Sequence, residues 1–210
     1  MIVKRAVWCA AVMLVTVSGI RPARPVYAAP ANDIGAVIER GNESYARGQL
    51  REALAAYQGA QAQDATHYGA LVGLARVESE LGEAAPGEER RRLVASAVEH
   101  ARAAVKAAPD EGQAHVWLAV ALRQQTEMEG PKTRAGLWRE IKSELDRAIG
   151  LDAGIARAYL ERGRWHLRLA TRGLWERAVS KVLLARVPKG ASKDNAVRDL
   201  EKAVELSPQS

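Results

Sequence analysis

The 210-residue chain contains no phenylalanine, and aromatic residues make up only 5% of it. Its core must therefore be built from Ala, Leu, Val, Ile and a few Trp and Tyr, which favours closely approaching helices over a bulky aromatic interior. The single cysteine, Cys9, lies in the amino-terminal run. If that run is removed, no disulfide, thiolate zinc site or cysteine nucleophile is available. No stretch rich in β-branched residues alternates with period two, so strands are not expected. HExxH and GxxxxGK[ST] are both absent, and a GxGxxG turn needs a strand before it. The four histidines, His67, His100, His115 and His166, are scattered without the spacing that puts ligands on one helical face, so no metal or cofactor is expected. His166 follows Trp165 and reads as packing. Glu88 with Glu89, and Glu140 with Glu144, lie among arginines and lysines and read as solvated helix faces. No catalytic constellation stands out, and the chain is not expected to be an enzyme.

What is present begins with an address. Lys4 and Arg5 precede the uncharged run Ala6 to Ile20, which is shorter than the roughly 20 residues a bilayer span needs. Val26 and Ala28 then match the small-residue pattern of a signal peptidase site. Residues 1–28 are expected to be a signal peptide, giving an exported protein, periplasmic or secreted; the alternative is an uncleaved signal anchoring the chain in the inner membrane. Residues 29–33 form a short linker. The whole chain carries a formal charge of +6. Residues 1–28 hold four of its 31 basic and none of its 25 acidic residues, so about +2 remains without them, and nucleic acid is not an expected partner.

From residue 34 onward apolar residues recur at three and four positions and helix formers dominate, so the fold class is all-α. Breaks fall at Gly48, Gly82 to Gly87, Pro109 to Gly112, Glu129 to Lys132, Asp152 to Gly154, Pro188 to Ser192 and Ser207 to Pro208. They divide the chain into helix pairs, with units at about 34–67, 68–111, 112–155 and 156–210. The first unit has Gly41, Tyr45, Gly48, Ala53, Tyr57, Ala60 and Asp64. These residues resemble the tetratricopeptide (TPR) signature of 34-residue helix-turn-helix repeats. Small first-helix anchors recur at Gly41, Ala75, Ala119 and Gly163. The later units are longer than the plain repeat, which implies insertions on one face of a superhelical array.

The runs AHVWLAVAL, LERGRWHLRLA and LWERAVSKVLLARVPKGASKDNAVRDLEKAVELSP resemble the divergent repeats of the regulator-of-microtubule-dynamics family and its bacterial relatives. The resemblance covers the third and fourth units well and the first two loosely. It implies a TPR-like array without enzymatic activity. The animal members are associated with microtubules, a role that an exported chain does not inherit.

In TPR arrays the first helix of each unit lines the concave surface. Projected onto this chain, that puts Asn42, Tyr45, Arg76, Arg123, Gln124, Arg157, Arg164 and Arg168 there. So many guanidinium groups would suit a protein or peptide partner with an acidic segment or a free carboxylate. The carboxylate-clamp pattern is incomplete: Asn42 matches one position, but Gly73 and Trp117 stand where polar members belong. A second candidate is the amphipathic segment 174–187. Leu174, Trp175 and Leu183 lie on its apolar side, with Arg177 and Lys181 around the other. Glu161 to Asp194 holds nine basic and three acidic residues, so an anionic membrane surface is the alternative partner. The last unit lacks a polar capping helix after it, which leaves self-association through the carboxy-terminal repeat as a further expectation.

Overall fold

The computed structural model describes residues 33–176 and 190–208, without the side chains of 172–176. These residues form eight helices and no strand: α1 (Ile34–Ala46), α2 (Leu50–Gln63), α3 (Tyr68–Ala84), α4 (Gly87–Ala107), α5 (Gly112–Gln125), α6 (Pro131–Leu151), α7 (Ala156–Glu176) and α8 (Lys193–Leu206). Consecutive helices pair as α1 with α2, α3 with α4, α5 with α6 and α7 with α8, and each pair packs on the next. The result is the TPR-like all-α array that the repeat pattern predicts.

Local chemistry sets the helix ends. Asp33 caps α1 by accepting the Gly35 N–H, and Ser192 caps α8 by accepting the Asn195 N–H. Helix α1 ends in a Schellman motif: the Gly48 N–H donates to the Tyr45 carbonyl and the Gln49 N–H to that of Ser44. Gly48 has φ of 73°, a left-handed conformation that a side chain would strain. Pro131 occupies the first turn of α6, where its missing N–H costs nothing.

The second helix of every unit carries the same inward set, spaced by four and then three residues: Ala53, Tyr57, Ala60 in α2; Ala97, Ala101, Ala104 in α4; Ile141, Leu145, Ala148 in α6; and Ala196, Leu200, Ala203 in α8. All are buried apart from the half-buried Leu200. A shared terminus fixes the register, because the N–H after each helix donates to the carbonyl of the last alanine of its set. The extra length of the middle units lies in front of that set: α4 and α6 have 21 residues each, against 14 in α2.

Two kinds of core result. Between the first two units the Tyr57 ring is clasped by glycines; a Cβ on Gly41 or Gly73 would come within 2.6 or 2.5 Å of it. This explains the glycine at 73, where a clamp residue belongs: only a bare backbone leaves room for the ring. The central core runs through α5, α6 and α7 and includes Trp117, Trp138 and Trp165. The Trp165 Nε1–H donates to the Trp138 carbonyl at 2.8 Å, which satisfies a buried donor.

Candidate concave binding face

Helices α1, α3, α5 and α7 bring most of the projected residues together, in two chemically different clusters. At the amino-terminal end, the Arg76 guanidinium lies over the Tyr45 ring, 3.7 Å from its centroid. Its Nη2 donates to the Tyr57 hydroxyl at 2.7 Å, and that hydroxyl donates to Asn42 Oδ1 at 2.8 Å. The Tyr45 hydroxyl donates to Glu80 at 2.5 Å. Burial and the Glu80 carboxylate push the Tyr45 phenol up to about 12, against the opposing charges of Arg76 and Arg157. Arg157, from α7, stacks over Trp117 at 4.6 Å. Neither Arg76 nor Arg157 pairs with a carboxylate among the described residues.

Further along, the guanidinium groups are already neutralised. Arg123 donates to Glu83 at 2.6 Å and to Glu161 at 3.1 Å, and Arg164 donates to the other oxygen of Glu161 at 2.8 Å. Burial pulls the Arg123 pKa down, but Glu161 and Glu83 outweigh it and hold the group above its ordinary value. Burial raises the Glu83 carboxyl, yet hydrogen bonding to Arg123 and Gln124 and the charge of Arg123 carry it below its usual range. Arg168 stands 3.8 Å from Glu127 and 5.5 Å over the Trp138 ring. In this part of the face Arg123, Arg164 and Arg168 each face a carboxylate of the fold.

Two projected residues have structural duties. Gln124 is fully buried and donates to the Ser79 carbonyl at 2.8 Å, so it joins α5 to α3 and cannot meet a partner. Its amide N–H is satisfied inside the fold, and helical projection alone does not reveal which side of an almost wholly buried helix such as α5 faces the groove. Asn42 has its carbonyl committed to Tyr57. In the segment 174–187, Leu174 and Trp175 fall at the end of α7, where only the backbone is described. Arg177, Lys181 and Leu183 lie outside the described residues.

Side-chain pairings that the sequence spacing did not suggest also emerge. His100 Nδ1 is 2.7 Å from the buried Glu78, which also accepts from Ser96 at 2.7 Å. His115 reaches Glu144 at 2.6 Å and the Pro109 carbonyl at 2.9 Å. Glu144 is thus a cross-helix tether and not a purely solvated residue. Partners 22 and 29 residues apart meet only once the helices pack. Arg162 grips Asp199 with two bonds of 2.8 Å, and His166, buried beside them, has its pKa pulled down by burial. The Ser96 hydroxyl donates to the carboxylate and stands 3.5 Å from the ring nitrogen, so it lacks the hydroxyl-to-imidazole bond of an activated nucleophile. Among the described residues no group of His, Cys, Asp and Glu could hold a metal ion, and no helix is long and apolar enough to cross a membrane.

Comparisons with known proteins agree with this architecture. A thermophilic TPR protein of Thermus thermophilus superposes with a TM-score of 0.57 at 22% identity, covering 85% of this chain and 93% of its own. MamA from Desulfovibrio magneticus RS-1 gives 0.54 at 14% identity, covering 86% and 78%. In sequence, the chain is 29% identical over 121 residues to regulator of microtubule dynamics protein 3 of Xenopus laevis, covering 58% of this chain and 26% of that protein. It is 27% identical over 184 residues to regulator of microtubule dynamics protein 1 of Bos taurus, covering 86% and 57%. The chain thus spans between about a quarter and somewhat over half the length of these relatives. The family model described as regulator of microtubule dynamics protein 1-3 matches residues 37–210, and the chain belongs to that family.

Proposed function

We propose that this protein is a non-enzymatic, exported interaction scaffold whose concave face captures an extended protein segment, with an acidic group of that segment seated at Arg76 and Arg157. The observation that carries this reading is the contrast within the face. Arg123 and Arg164 are occupied by carboxylates of the fold. Arg76 and Arg157 instead lie over the Tyr45 and Trp117 rings, with no carboxylate within ion-pair distance among the described residues. Stacking fixes the planar groups before a ligand arrives, so less side-chain entropy is lost when a carboxylate binds. Export rests on the composition of residues 1–28. The alternative, an adaptor on an anionic membrane surface, rests on the sequence of residues 174–187.

The test is binding of fluorescent extended peptides, Asp/Glu-rich and with their Asn/Gln counterparts, to the wild-type protein and to Arg76→Ala with Arg157→Ala. Acidic peptides should bind the wild type more tightly, and the double variant should lose about tenfold to a hundredfold, as expected for charge-assisted hydrogen bonds. Equal binding of acidic and amide peptides, or an unaffected double variant, refutes the seat. Binding of anionic vesicles with no peptide bound would favour the membrane reading.

A further inference from the structure

The outer side of α8 repeats, without a cover among the described residues, a surface that is covered in the interior of the array. In the second helices of the middle units, apolar residues directly after the first or third member of the inward set pack toward the central core. In α4 these are Val98 and Val105, both packed against the central core, and in α6 Ile149 does the same. The same positions in α8 are Val197 and Val204, which are 53% and 63% exposed. Between them comes Glu201, at the position of Asp146 in α6. Asp146 crosses its seam to pair with Arg162 of α7 at 3.1 Å.

The complementary surface is on α1. Five residues before the anchors Ala75, Ala119 and Gly163, helices α3, α5 and α7 each place an alanine against the preceding unit. These alanines, Ala70, Ala114 and Ala158, are fully buried. Ala114 sits in the cluster that receives Val105, and Ala158 in the one that receives Ile149. The corresponding residue of α1 is Ala36, which is only half-buried. One residue before the anchor Gly41 comes Arg40, exposed, at the position of Arg162.

We propose that a second copy of this chain docks by its α1 onto α8 of the first, continuing the array head to tail. Ala36 lies on Val204 as Ala114 lies by Val105, and Arg40 pairs with Glu201 as Arg162 pairs with Asp146. Glu43 falls where α3, α5 and α7 carry Val77, Ala121 and Trp165, so this contact is weaker than the internal seams and depends on protein concentration. It is heterologous, so the copies add in series.

Sedimentation velocity of the full chain at rising concentrations, up to about 1 mM, tests this. Expected is reversible growth beyond the dimer. Val197→Glu with Val204→Glu, both at exposed positions, should raise the apparent dissociation constant at least about a hundredfold with unchanged helicity. Glu201→Arg or Arg40→Glu alone should weaken association about fivefold, and an equimolar mixture of the two single variants should restore it, because both mixed contacts pair opposite charges. A monomer at all concentrations overturns the proposal. So does association that ignores the valine variants, and so does association that needs the valines but ignores Arg40, which would mean that α8 pairs with itself.

Discussion

The two halves of the array solve one packing problem with different residues. In the first two units a tyrosine does the filling: Tyr57 lies between Gly41 and Gly73, and its hydroxyl gathers Asn42 and Arg76. In the last two, tryptophans fill the core while buried ions tie the helices: Arg123 and Arg164 share Glu161, which is 3% exposed, and Arg162 holds Asp199, which is 5% exposed. A neutral phenol is buried at little cost once it is hydrogen-bonded, whereas a buried carboxylate costs far more unless it is also paired with opposite charge. The first solution therefore leaves Arg76 on two tyrosines, with no carboxylate among the described residues, at the groove. The second commits Arg123, Arg162 and Arg164 to carboxylates of the fold and leaves Arg157 over the Trp117 ring.

Removing Tyr57 should separate the halves most strongly. Tyr57→Ala opens a void between two glycines that have no side chain with which to fill it, at a cost of about 3–5 kcal/mol. Hydrogen exchange should show protection lost in α1 to α3 ahead of α5 to α7; uniform loss would break the comparison. Glu161→Gln is the counterpart and should cost about 3 kcal/mol, since Arg123 keeps only Glu83 and Arg164 loses its carboxylate. Urea unfolding followed by tryptophan fluorescence reads this half, because Trp117, Trp138 and Trp165 all lie in it. A loss in Glu161→Gln below about 1 kcal/mol would show that the carboxylate charge does not tie these helices.

The smallest expected effect is a difference in pH response. Tyr45 and Tyr68 are both pushed up to about 12, chiefly by burial. Between 10 and 12 the folded chain keeps phenolic protons that the unfolded chain has lost, so stability in the first two units falls as pH rises through that window. His166 is shifted down by burial, so in the unfolded chain it takes up a proton at a higher pH than in the folded one. Its contribution is complete above its ordinary value of 6.5 and is lost as pH falls below that. Near-ultraviolet circular dichroism should show tyrosine bands yielding first in alkali and tryptophan bands first in acid. The opposite order would contradict the assignment.

The sequence by itself determined the eight helices and their grouping in pairs. The inward sets recur in every second helix at fixed spacing, and that periodicity dictates which side of a helix must leave water. It also determined Gly41 and Tyr57 as neighbours, because a small residue and an aromatic at those repeat positions leave only one compact arrangement. Tertiary structure alone decided which charges remain available. Arg123 and Arg76 look alike as exposed-side arginines on a helical projection. Yet the first meets Glu83 and Glu161 from two other helices, 40 and 38 residues away, and the second meets a tyrosine ring. Gln124 likewise reads as a groove residue until the packing of α3 seals it. Burial along one helix is a property of local spacing, whereas the pairing of ions is a property of distances between helices, which only the assembled array sets.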